Sequence, residues 1–201
     1  MKLRRLAAPL IAIALTATLA ACGSDDAATS SDSVAVTDTP TAAGEVTLNE
    51  ADVEFAQGMI AHHEQAIEMA EIALDPASGA SPEVVDLATR IQAAQDPEVE
   101  LMTSWLTAAG EPVTMDTSDG HDMSSMDGMM TADQMDELAA MTGADFDQTW
   151  LEMMIAHHEG AISQSETVKA DGTNADVLLL ADQIIAAQQA EIAEMQALLQ
   201  S

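Results

Sequence analysis

The sequence has no tyrosine, only two tryptophans and two phenylalanines, and a single cysteine. One cysteine excludes an intramolecular disulfide and leaves little for a structural zinc site, which favours Cys or well-spaced His. So few aromatic anchors put the packing of any core on Leu, Ile, Val, Met and Ala, residues that suit helices. Basic residues are almost as scarce: five Lys and Arg stand against 35 Asp and Glu, a formal net charge of −30. Strand-type alternation is missing throughout, so the expected class is all-α.

Three of the five basic residues, Lys2, Arg4 and Arg5, precede an apolar run from Leu6 to Leu19 that is too short for a comfortable membrane span. Leu19-Ala20-Ala21-Cys22 closes it in the form of a lipobox. Residues 1–21 read as a lipoprotein signal peptide, with Cys22 as the lipidated first residue of the mature chain. Two or more acyl chains would anchor it stably to the envelope, on the outer face of the cell membrane or in the periplasm. Removal of the signal leaves Arg90 and Lys169 against all 35 acids, a formal charge of −33. Such a chain repels nucleic acid and anionic lipid surfaces and concentrates cations.

Residues 22–46 are rich in Ser, Thr, Asp and Ala without apolar periodicity and read as a disordered tether. The folded part is expected over 47–201. A first helical hairpin spans about 49–110, starting at the Asn49 cap, broken at Asp75-Pro76 and resumed at Ser81-Pro82-Glu83. Pro97 should kink or break its second helix. A linker over 111–130, a short helix over 132–141 and a second hairpin over about 145–200 follow.

An internal repeat ties the two hairpins together. Met59 to Ile67 reads MIAHHEQAI and Met154 to Ile162 reads MIAHHEGAI, eight identities in nine positions at an offset of 95. Asp52 and Phe55 match Asp147 and Trp150. At an offset of 93, Leu87, Ile91, Gln95, Glu98 and Met102 match Leu180, Ile184, Gln188, Glu191 and Met195. Neither hairpin can cover its own apolar stripe, so the pair should form a four-helix bundle.

At 100° per residue, Phe55, Met59, His62, His63, Ala66, Ile67 and Ala70 share an arc of roughly 120 to 140°. Trp150, Met154, His157, His158, Ala161 and Ile162 repeat it. A thioether three and four residues before two imidazoles permits a shared metal site on one helix face. A buried, hydrogen-bonded core histidine is the competing explanation, weakened because four of the five histidines fall in two identical pairs. Asp52 and Asp147 could orient an imidazole, serve as ligands or cap their helices.

The linker offers a second soft donor set. His121, Met123, Met126, Met129 and Met130 fall within ten residues, and seven of the 14 methionines lie between 115 and 141. Methionine exposed in a polar linker has no core to fill. Thioether suits Cu(I) and Ag(I), while imidazole serves several metals. A ferritin-type di-iron centre would need Glu-x-x-His pairs, which the helices lack. A haemerythrin-like site would need more histidines. Ser163 and Ser165 have no nucleophile motif around them.

The repeated MIAHHE with its upstream Asp and aromatic residue, together with AAQ followed by Glu three and Met seven residues on, resembles the bacterial secreted family of domain of unknown function 305, from about Leu48 to Leu199. The resemblance implies a ferritin-like four-helix fold and copper binding for tolerance without catalysis. The positions that carry it over are Met59, His62, His63, Met154, His157 and His158. The expected function is therefore an envelope-anchored lipoprotein that binds copper, chiefly Cu(I), with no enzymatic activity. The alternative is a structural or partner-binding lipoprotein whose histidines are buried specificity elements.

Overall fold

The computed structural model describes residues 46–115 and 126–201. The signal peptide, Cys22 and the tether lie outside the described residues, as do His121 and Met123. Within them the chain is helical: α1 (Glu50–Leu74), a 3₁₀ turn (Pro76–Ser78), α2 (Pro82–Ala109), α3 (Ala132–Ala140), α4 (Ala144–Asp171) and α5 (Ala175–Leu198). No helix among the described residues is long and apolar enough to cross a membrane.

The helix ends follow local chemistry. Asn49 and Asp52 form a reciprocal capping box, each side chain accepting the other's backbone N–H at 2.8 and 3.0 Å. Ser81 caps α2, whose first position is Pro82, and Gly110 ends it in the left-handed region at φ 76°. Thr131 and Gln134 box the start of α3, and Asn174 caps α5. Of the kink or break expected at Pro97, the break does not occur: α2 is one continuous helix. Proline removes a single intrahelical N–H bond, while wholly buried residues on both sides of it, Ile91 and Met102, hold the helix to the bundle.

Helices α1 and α4 run antiparallel against each other, with α2 packed on α1 and α5 on α4. The ends of the central pair are tied by polar contacts. Gly143 N–H donates to the Ser78 carbonyl at 2.8 Å, joining the start of α4 to the end of α1. Asp147 accepts the Ser81 N–H at 3.0 Å. At the opposite end Asp52, fully buried, accepts N–H groups of Thr173 and Asn174 at 3.1 Å each. Each matched aspartate thus grips the connection of the other hairpin. Those bonds, not an imidazole, occupy the two carboxylates.

The apolar core falls into two clusters. One joins Met69, Leu87, Ile91, Trp150, Met154 and Met195; the other joins Phe55, Met59, Met102, Trp105, Leu180 and Ile184. Along α1 the second cluster's residues end at Ile60 and the first cluster's begin at Ala66. On α4 the changeover lies between Met154 and Ala161. The histidine pairs occupy both gaps.

Candidate metal centre

All four paired histidines are buried to within 1% of complete. Their helices bring the two repeats into direct contact: the rings of His62 and His157, equivalent residues, lie with centroids 3.8 Å apart and planes tilted by 44°. His63 and His158 each point Nε2 at a carboxylate of the neighbouring helix, His63 at Glu98 Oε2 and His158 at Glu191 Oε2, both at 2.7 Å. The two dyads are repeat equivalents and identical in length, so Pro97, one residue before Glu98, leaves this symmetry intact.

The electrostatics separate the rings into an inner and an outer pair. Burial first, and then the neighbouring His63, pushes His62 down to about 3 from the ordinary 6.5, outweighing its bond to the Asp127 carbonyl. His157 is likewise held well below the ordinary value, first by burial and then by His62, His158 and His63. The inner imidazoles are therefore neutral, with lone pairs free of protons at physiological pH. Nδ1 of all four rings, and Nε2 of His157 as well, is buried without a hydrogen-bond partner.

Met59 and Met154 are fully buried one turn before the histidines, in opposite core clusters. Among the described residues no three His, Cys, Asp or Glu side chains form a group spaced to hold a metal ion. A coordination sphere here would draw on thioether sulfur beside imidazole nitrogen, a donor set that fits a soft cation and not a hard one. The orphaned buried nitrogens are the observation that supports the fit, since such atoms are ordinarily satisfied.

Residues 126–130 lie across this centre. The Asp127 carbonyl faces His62 Nε2 at 3.4 Å. Gln65 clamps Met130 from both sides, its Oε1 accepting the Met130 N–H at 2.7 Å and its Nε2 donating to the Met130 carbonyl at 2.9 Å. On α4 the matching position is Gly160, and a Cβ there would collide with the Asp127 carbonyl. The one mismatch in the nonapeptide repeat, Gln65 against Gly160, is where this strap needs a clamp on one helix and bare backbone on the other.

The expectation of exposed linker methionines is corrected here. Met130 is only 8% exposed and belongs to a core cluster, and Met126 and Met129 are half-buried. The Met126 methyl lies beside Gly58 on α1. The strap supplies its own apolar contacts by folding back over α1 and α4, so composition alone gave the wrong exposure. Sequence reasoning also passed over Glu98 and Glu191 as partners of the histidines. Their repetition within the matched AAQ segments was the available signal, but their separation from the histidines, 35 and 33 residues, hides the contact.

An all-helical bundle with paired histidines buried between its repeats defines the class of protein. The chain matches the family model Domain of unknown function (DUF305) over residues 52–199, and it belongs to that family. Among solved structures it is similar to a DUF305 protein from Streptomyces coelicolor described as secreted, with 30% identity over 74% of this chain and 91% of that one and a TM-score of 0.67. A DUF305 fragment from Deinococcus radiodurans shares 28% identity over 75% and 96% of the two chains, TM-score 0.67. CopM in its Cu(II)-bound form shares 32% identity over 74% and 95%, TM-score 0.62. CopM has also been solved with Cu(I) and with Ag bound. No curated protein matches the chain.

Proposed function

We propose that this protein is an exported lipoprotein, anchored through Cys22 to the bacterial envelope, that binds copper as Cu(I) for sequestration, tolerance or delivery and catalyses no reaction. The observation that carries the reading is the convergence of both MIAHHE repeats on one buried centre with unpartnered imidazole nitrogens, a buried methionine standing one turn before each histidine pair. The Cu(I), Cu(II) and Ag forms of CopM support the same metal class. Export is supported by the secreted relative from Streptomyces coelicolor and by the signal-like start of the chain. Met126 and Met129, half-buried on the strap, belong with His121 and Met123 to the donor set that first captures an ion. His62, His63, His157 and His158, with Met59 and Met154, form the inner site.

The bonds from His63 and His158 to glutamates favour one competing reading, in which the histidines are polar elements that fix the packing of the bundle. Anaerobic Cu(I) titration against a chromogenic chelator separates the two. Three proteins are compared: the wild type, a variant with Met123, Met126, Met129 and Met130 changed to Leu, and a variant with His62 and His157 changed to Leu. Tight uptake that falls in either variant supports copper binding and locates it. Absence of uptake by the wild type would leave the structural reading.

A further inference from the structure

We infer that Glu98 and Glu191 are positioning residues that commit His63 and His158 to present Nδ1, and not Nε2, to the bound metal ion. The inference rests on the copper-binding reading above and specifies the ligand atoms and the groups that select them. A carboxylate can only accept, so the ring nitrogen 2.7 Å from each glutamate oxygen carries the proton. With Nε2 protonated, a neutral imidazole has its one lone pair on Nδ1. That atom is buried and unpartnered in both rings.

The other protonation states fit less well. A neutral ring with its proton on Nδ1 would set the Nε2 lone pair against a carboxylate and bury an unsatisfied N–H. A doubly protonated ring would bury an unpaired Nδ1–H among three other imidazoles. His62 follows the same pattern, with Nε2 facing the Asp127 carbonyl at 3.4 Å and Nδ1 without a partner. An acceptor behind the protonated nitrogen holds the ring's orientation and makes the opposite nitrogen a stronger donor to metal, the arrangement of carboxylate–histidine–metal sites. The glutamate side chains are 24% and 15% exposed, against 0% for the rings they hold. The carboxylates therefore keep contact with water while the imidazoles lie wholly inside.

The test is imidazole ¹⁵N NMR of the intact protein, metal-free and then with Cu(I) added anaerobically. The expected result is an Nε2–H tautomer for His63 and His158 before metal, and a metal-induced shift at Nδ1 with Nε2 still protonated. Glu98→Gln with Glu191→Gln should weaken Cu(I) binding on the order of 10- to 100-fold, with Glu→Asp at both positions recovering part of the loss. An Nδ1–H tautomer in the metal-free protein, or a metal-induced shift at Nε2, overturns the inference while leaving copper binding in place. No response at any imidazole nitrogen overturns this assignment and the inner histidine site, while the copper reading itself falls only if the wild type takes up no Cu(I) in the chelator titration.

Discussion

Acid should destabilise this protein through its two inner histidines. His62 and His157 are neutral in the fold, His62 with a pKa of about 3 and His157 well below its ordinary value, whereas both titrate near 6.5 in the unfolded chain. The unfolded state therefore takes up protons first as pH falls. The stability these rings allow is fully present above 6.5 and is lost progressively between 6.5 and 3. At pH 5 His62 alone costs about 2 kcal/mol, a large share of the roughly 5–15 kcal/mol that holds a domain together, and His157 adds to the loss in the same direction. The groups facing the stack are His63 on α1, His158 on α4 and the Asp127 carbonyl; Glu98 on α2 and Glu191 on α5 reach only the outer rings.

Urea unfolding with a metal chelator present, at pH 7.5 and pH 5, measures the loss. His62→Leu combined with His157→Leu keeps the volume and removes the titration, so the variant should lose less stability than the wild type over the same interval, by about 2 kcal/mol from His62 and by more with His157 included. The comparison also cancels the relief of like-charge repulsion that acid brings to so acidic a chain. Equal losses in the two proteins, or no loss in the wild type, would refute the reasoning.

Three further outcomes follow from the packing. Gly160→Ala drives a methyl into the Asp127 carbonyl, so it should lower stability by about 1–3 kcal/mol and speed hydrogen exchange at the Met130 amide, read by mass spectrometry. Asp52→Ala should cost about 2–3 kcal/mol in chemical denaturation, because it removes a buried acceptor shared by the N–H groups of Asn49, Thr173 and Asn174; Asp147→Ala, which releases only Ser81, should cost about 1 kcal/mol, and the reverse order would contradict the assigned contacts. Trp150→Ala removes a fully buried ring and its 2.9 Å bond to the Met69 carbonyl, and a loss of about 3–5 kcal/mol is expected in the same assay.

What the sequence by itself determined is what depends on near neighbours in the chain. Helix starts at Asn49, Ser81 and Asn174 are set by side chains two or three residues from the N–H groups they cap, and the stops at Asp75-Pro76 and Gly110 are equally local. The eight shared positions of the MIAHHE segments placed the histidines on the buried face of both repeats without reference to any partner. Tertiary structure alone decided the rest. The antiparallel register of α1 on α4 stacks His62 on His157, and helix-to-helix packing selects Glu98 and Glu191 as the acceptors for His63 and His158. Asp52 and Asp147 fell on the histidines' side of their helices, yet their carboxylates bind connections of the opposite hairpin. The strap over the centre was illegible for the same reason: periodicity reports which face of a helix is buried, but a loop has no period. Only its contacts with Gln65 and Gly160 fix where Met126 and Met130 come to rest.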